Sequence, residues 1–229
     1  MFLLPHVYIC TELVASRNRY IIQHDRVGDG SPAQQPGRAQ GSSGREIIST
    51  VGTTRLLQEP DLANLPYLRG IVAETLRLYP LAPNLIPHEA SSDFTVAAGG
   101  GGHAIIRRGT VVLVDVYSMQ RDPHAWAEPE KFMPERFMDD GGEVAGESSR
   151  WMMMMPFGMG RRRCPGEGLA LRTVGMALGV MVQFFEWERV GKEEVDMSEG
   201  SSGITMPMAT PLMAVCRPRA EMEPVLRNL

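Results

Sequence analysis

Cysteine is scarce in this sequence, and its scarcity argues against two kinds of cross-link. The 229 residues contain three cysteines, Cys10, Cys164 and Cys216, which are widely spaced and include no CxxC pair. A disulfide framework needs paired cysteines, and a structural zinc site needs clustered cysteine and histidine ligands. The sequence therefore predicts a protein of a reducing compartment, in which cysteine chemistry involves one thiol at a time.

An excess of positive charge and a long apolar run are also missing. Lys and Arg number 23 against 27 Asp and Glu, a formal net charge of -4, so we predict no nucleic-acid partner. The most apolar stretch, residues 1–10, is interrupted by Pro5 and His6. It lacks the roughly 20 apolar residues of a membrane span and the basic start of a signal peptide. We expect no membrane anchor in this chain.

Large apolar side chains are nearly absent from residues 27–45, which are rich in Gly, Ser, Pro and Gln. Such a composition is typical of a disordered linker. We therefore predict that residues 1–45 are unstructured or unrelated to the rest, and that residues 46–229 form one domain.

The remaining sequence predicts a mainly α fold with a small antiparallel β-sheet. Apolar residues at helical spacing follow Leu65, with Pro66 able to open a helix and Pro80 able to end it. A second strongly apolar, mostly helical pattern runs over residues 169–187. Short β-prone segments separated by glycine-containing turns predict strands at 94–97, 104–106, 111–116 and 213–216.

The loop before the second helix contains the cysteine best placed for chemistry. Residues 156–166 read PFGMGRRRCPG, so Cys164 follows three arginines and precedes a helix. A helix N-terminus and nearby guanidinium groups favour a thiolate, which binds a soft metal or attacks an electrophile. The alternative is that a lone buried cysteine acts only as a small apolar side chain.

Three motifs give the chain a family resemblance. The first matches the haem-binding signature of the cytochromes P450, F-G-x-G-x-R-x-C-x-G, through Phe157, Gly158, Gly160, Arg162, Cys164 and Gly166. Residues 74–77 (ETLR) fit the E-x-x-R of that family, and residues 134–137 (PERF) fit its P-E-R-F segment. From about residue 46 to 219 the chain resembles the C-terminal half of a plant-type, isoflavone-hydroxylase-like cytochrome P450.

The resemblance implies a cofactor and its contacts. The cofactor is haem b, with Cys164 as the axial ligand of its iron. Arg162 is expected to pair with a haem propionate, Phe157 to pack beside the ligand loop, and Gly160 to let the backbone approach the macrocycle. His88 is expected to be a second haem contact, the alternative being an ordinary exposed histidine.

The resemblance also assigns a structural triad and a docking face. Glu74, Arg77 and Arg136 are expected to join beneath the haem, although a Glu–Arg pair three residues apart is by itself a common surface ion pair. Arg161 and Arg163 are expected to help dock an acidic reductase, the alternative being an ordinary solvated loop.

Two further segments have weaker interpretations. Residues 82–85, with Ile204 and Thr205, would line the substrate side by analogy of position. The methionine run at 152–155 could suggest a copper site, but flexible core packing is the better interpretation.

The implied function is that of a haem-thiolate monooxygenase of plant secondary metabolism. It would insert one oxygen atom from O2 into a small organic substrate, for example a flavonoid, with electrons from NADPH-cytochrome P450 reductase at the endoplasmic reticulum membrane. The oxygen-side A-G-x-[DE]-T-[TS] segment is not found, so we assign no catalytic residue and expect residues 46–229 to be a partial, truncated domain. The alternatives for the function are an inactive truncated fragment or a non-catalytic haem-binding or interaction module. The alternative for the location is the cytoplasm, because the sequence predicts no membrane span.

Overall fold

The computed structural model describes residues 37–138, 149–191, 196–200 and 205–228, which form six α-helices and six short strands. The helices are α1 (Gly37–Val51), α2 (Pro66–Leu78), α3 (Val116–Met119), α4 (Ser149–Met154), α5 (Glu167–Phe184) and α6 (Glu223–Leu226). The strands are β1 (His88–Glu89), β2 (Phe94–Ala98), β3 (Gly102–Ile106), β4 (Val111–Val112), β5 (Phe185–Arg189) and β6 (Ala214–Pro218). Single 3-10 turns cover Glu59–Asn64, Gly99–Gly101, Pro134–Phe137, Gly160–Arg162 and Ala220–Met222.

Helices α1, α2 and α5 contact one another in pairs and enclose the main apolar core. The predicted core helix is confirmed as α2, which begins at Pro66 and ends at Leu78, just before Pro80. The buried core side chains of the three helices are Ile47, Val51, Leu68, Ile71, Val72, Leu76, Ala170, Val174, Leu178 and Val182. Burial of each large aliphatic side chain stabilises the fold by about 1.5–3 kcal/mol.

Helix α1 corrects the predicted start of the fold. It begins at Gly37, so residues 37–45 are helical although their composition predicted disorder. The helix is stabilised by packing, because Ile47 is fully buried and the Glu46 carboxylate accepts hydrogen bonds from the Tyr67 and Leu68 N–H groups at 2.7 and 3.0 Å. These bonds satisfy donors in the first turn of α2 that have no partner within that helix. Residues 1–36 of the predicted segment lie outside the described residues.

The strands form three separate two-stranded antiparallel sheets, β1–β4, β2–β3 and β5–β6. The predicted small antiparallel strands are therefore confirmed, but they do not form one sheet. The predicted strand at 111–116 is shorter, since β4 ends at Val112. Asp115 caps α3 by accepting a hydrogen bond from Ser118 N at 3.0 Å, and Val116 begins that helix.

The C-terminal end of α5 also differs from the prediction. The helix ends at Phe184, and Phe185 and Trp187, which the apolar pattern placed in the helix, lie in β5. Arg219 occupies the helix end, where its backbone N–H donates to Phe184 O at 2.8 Å and its Nε to Val182 O at 3.2 Å. The capped carbonyls and the pairing with β6 fix where the helix stops. None of the described helices combines the length and apolarity needed to cross a membrane.

Candidate functional site

The segment between α4 and α5 folds into a tight loop that brings Phe157 and Cys164 together. Cys164 N donates a hydrogen bond to Phe157 O at 2.9 Å. Gly158 and Gly160 have φ values of +72° and +70°, a region that side-chain-bearing residues rarely occupy. The two glycines therefore permit the turns that close the loop.

Cys164 lies at the N-terminal end of α5 with its side chain half-buried. Glu167 N donates to Cys164 O at 3.4 Å, and Ala170 N donates to Gly166 O at 2.8 Å. The positive end of the helix dipole therefore lies near the thiol. Among the described residues, no hydrogen bond reaches the Cys164 sulfur.

One face of this loop is open. A Cβ atom built on Gly158 or Gly160 would meet no other heavy atom within 4 Å. Arg162, in the 3-10 turn, is exposed to solvent. The loop fits a flat, iron-containing macrocycle with acidic substituents. The thiol could bind the iron, the open glycine face leaves space for the flat ring, and the Arg162 guanidinium could pair with an acidic substituent.

His88 lies on a different element from the loop. It is exposed in β1, where it pairs with Val112 of β4. Among the described residues, no hydrogen bond or ion pair joins the His88 side chain to Arg162 or Cys164. The role of His88 as a haem contact stays a prediction.

Glu74, Arg77 and Arg136 meet in a buried ion cluster, which we call the Glu74 cluster. The Glu74 and Arg77 side chains have no solvent exposure, and the Arg136 side chain is 7% exposed. Arg77 Nε and Nη2 bind the two Glu74 carboxylate oxygens at 2.7 and 2.9 Å, and Arg136 Nε binds Glu74 Oε1 at 3.1 Å. A surface ion pair, the alternative raised by the sequence, is thus not what the structure shows.

Backbone carbonyls complete the Glu74 cluster. They are needed because the single Glu74 carboxylate cannot accept hydrogen bonds from all the N–H groups of two guanidinium groups. Arg77 Nη1 donates to Gln120 O at 2.7 Å, and Arg136 Nη2 donates to Glu128 O at 2.6 Å. The Arg77 guanidinium also lies 5.3 Å from the centre of the Trp126 ring. The cluster therefore ties α2 to the chain between residues 120 and 137.

Sequence reasoning missed these carbonyl partners, because a backbone carbonyl has no residue signature. It also missed Glu167, whose carboxylate binds Arg163 Nε and Nη2 at 2.5 and 2.6 Å. The opposite charges of Arg163 and Glu167, four residues apart in the sequence, were a weak signal for this pair, because only Glu167 lies in α5.

The two segments assigned to the substrate side are close in space. Met206 N donates to Leu81 O at 3.0 Å, which places the turn containing Thr205 beside the start of residues 82–85. Leu85 has a φ of +49°, which is uncommon for a residue with a side chain. Ile204 lies outside the described residues.

The methionine run begins within α4, where Met154 is fully buried against Trp126 and Phe137. This position fits the core-packing interpretation. In the described part of the chain, no group of three or more His, Cys, Asp or Glu side chains is arranged to hold a metal ion.

Comparison with known proteins identifies the family. The family model for Cytochrome P450 matches residues 39–215. Cytochrome P450 81Q32 of Catharanthus roseus is 49% identical over 76% of this chain and 32% of its own length. Isoflavone 3'-hydroxylase of Medicago truncatula is 45% identical over 75% of this chain and 32% of its own length. The chain belongs to the cytochrome P450 family.

A third plant relative is (+)-piperitol/(+)-sesamin synthase CYP81Q2 of Sesamum radiatum, 46% identical over 81% of this chain and 34% of its own length. The chain thus spans about a third of the length of the curated relatives that it matches, less than the half that we expected. Membership of the family implies a haem cofactor.

Proposed function

We propose that this chain forms the C-terminal, haem-binding part of a plant cytochrome P450 monooxygenase, with Cys164 as the axial ligand of haem b. The observation that carries the proposal is the Cys164 loop. Its ten-residue signature is complete, its thiol is at the start of α5, and its glycine face is open. When bound, thiolate-ligated haem supplies oxygen activation, because the thiolate pushes electron density toward the iron.

The residues around the loop have distinct roles in this proposal. Arg162 and His88 are exposed, and their N–H groups are suited to donate hydrogen bonds to haem propionates. The Phe157 backbone carbonyl accepts a hydrogen bond from Cys164 N and so stabilises the loop. Gly160 has no side chain, which leaves space for the macrocycle. The Glu74 cluster holds residues 120–137 rigidly against α2 and has no part in the chemistry.

The substrate and partner are proposed from the family and its members. Isoflavone 3'-hydroxylase is among the relatives, so a flavonoid-like small molecule is the proposed substrate class. NADPH-cytochrome P450 reductase is the proposed electron donor, at the endoplasmic reticulum membrane. Arg161 is the better docking residue of the two expected, because much of the Arg163 charge is neutralised by Glu167.

An absorption spectrum tests the haem site directly. The protein is purified with haem, reduced and exposed to carbon monoxide, beside Cys164→Ala and the control Cys216→Ser, whose cysteine is exposed in β6. We expect a red-shifted, thiolate-type Soret band in the wild type and the control and its loss in Cys164→Ala.

Other outcomes would identify the alternatives. A wild type without the band would indicate an inactive fragment, and the proposal would be wrong. A band without substrate oxidation in the presence of the reductase would indicate a haem-binding module. A band that persists in Cys164→Ala would mean that another residue is the ligand.

A further inference from the structure

A side-chain network beside the Cys164 loop is not explained by haem contacts. Glu167, in the first turn of α5, accepts hydrogen bonds from Arg163 Nε and Nη2 at 2.5 and 2.6 Å and from Trp151 Nε1 at 3.2 Å. Its side chain is 14% exposed, whereas that of Arg163 is 50% exposed. We call these three residues the Trp151 clamp.

The Trp151 clamp joins both ends of the loop. Trp151 belongs to α4, which enters the loop, and Glu167 belongs to α5, which leaves it. The Trp151 ring packs against both apolar clusters, the main core and the smaller one around Trp126 and Phe137. The clamp therefore anchors the loop to packed structure, in addition to the backbone hydrogen bonds within the loop, such as that from Cys164 N to Phe157 O.

The Trp151 clamp also controls the charge beside the thiol. Arg163 precedes Cys164 directly in the chain, and its guanidinium is held in a two-bond contact with the Glu167 carboxylate. This contact pairs the guanidinium with a carboxylate, so less of its positive charge can act on the sulfur.

We propose that Glu167 is a positioning residue for Cys164, acting through Arg163 and Trp151. It restrains the loop that carries the thiol and pairs with the neighbouring guanidinium. The inference rests on the proposed function, because it concerns the environment of the proposed haem ligand.

The first test uses haem-free protein, so it does not depend on the cofactor. Alkylation of Cys164 by iodoacetamide is followed by mass spectrometry in a Cys10→Ser, Cys216→Ser background. We expect Glu167→Gln and Trp151→Phe each to increase the alkylation rate by about fivefold, because each loosens a partly exposed charge-assisted contact that holds the loop.

The matched control is Glu223→Gln, which breaks an exposed i,i+4 pair with Arg227 far along the chain. It is expected to leave the alkylation rate unchanged. Circular dichroism verifies that each variant is folded, and Trp151→Phe retains an aromatic ring should Glu167→Gln fail to fold. Rates within twofold of the parent in both folded variants would overturn the positioning role.

The second test measures the midpoint reduction potential of the haem-loaded protein and asks in which direction each variant shifts it. A positive charge near the sulfur favours the reduced, more electron-rich state, so Glu167→Gln should raise the midpoint reduction potential. Arg163→Gln should lower it or leave it unchanged, and the double variant should lie between the two.

A merely structural role would move both single variants in the same direction, and that result would refute the charge part of the inference. Failure of the proposed function is distinguishable, since it would remove the thiolate Soret band from the wild type itself.

Discussion

Replacement of Glu74 by Gln is expected to destabilise the fold strongly. A glutamine side chain can keep one acceptor oxygen at the Oε1 position, which now serves Arg77, Arg136 and the Met133 N–H. Its amide nitrogen would then face Arg77 Nε, whose present distance to Glu74 Oε2 is 2.7 Å. Two donors would oppose each other, and two buried guanidinium groups would lose their counter-ion.

The magnitude follows from the burial of the cluster. Removal of one partner from a buried ion pair costs about 3–5 kcal/mol, since the remaining charge stays out of water. A typical domain is stable by about 5–15 kcal/mol, so this loss is a large part of the total. With a urea slope of about 2 kcal/mol per M, the unfolding midpoint should fall by about 2 M.

Urea unfolding followed by circular dichroism measures this effect. The control is Glu59→Gln, because Glu59 forms an ion pair with Arg172 in which the two side chains are 61% and 59% exposed. That variant should lose less than about 1 kcal/mol. If Glu74→Gln and Glu59→Gln shift the midpoint equally, with unchanged slopes, the carbonyl contacts alone would satisfy the two arginines and the reasoning would be refuted.

Three further predictions concern packing, buried polar groups and pH. A Cβ on Gly70 would lie 2.8 Å from a carbonyl oxygen in the PERF segment, so Gly70→Ala should lower the free energy of unfolding by about 1–3 kcal/mol. The control Gly168→Ala should leave the free energy of unfolding unchanged or raise it by up to about 1 kcal/mol. Equal urea midpoints for the two variants would contradict this prediction. Gln183→Leu should lower the free energy of unfolding by about 1–3 kcal/mol, because the buried Leu57 N–H would lose its acceptor, Gln183 Oε1. An unchanged urea midpoint would contradict a stabilising role for this hydrogen bond. The Arg55 guanidinium holds the pKa of Asp61 at about 2, below its usual 3.8. The stability contributed by Asp61 is therefore present above pH 3.8 and lost as the pH falls toward about 2, and Asp61→Asn should flatten the pH dependence of the urea midpoint in that window.

Local residue chemistry was enough to predict the helix α2 and the position of the Cys164 loop. Pro66 and Pro80 bound α2 because proline suits the first helical turn and cannot continue a helix. Closely spaced glycines and prolines around Cys164 allow only a constrained loop, and the three-residue spacing of Glu74 and Arg77 puts both on one helix face. These features depend on dihedral angles and on neighbours in the sequence, so a sequence encodes them directly.

Only the tertiary structure decided which distant groups meet. Arg136 reaches Glu74 from 62 residues away, and Gln120 and Glu128 contribute carbonyls that no side-chain motif reveals. Helix α1 forms within a segment of poor helical composition because Ile47 and Glu46 pack and bond against α2 and the core.

The same distinction explains the end of α5 and the Trp151 clamp. Phe185 continues an apolar helical pattern, yet it lies in a strand because β6 and Arg219 are present to pair with that part of the chain. The sequence determined the cysteine loop, its helix and its family, whereas packing between segments determined what surrounds and restrains the thiol. Local propensities are small, and the free energy of burying apolar surface and satisfying polar groups across the fold exceeds them.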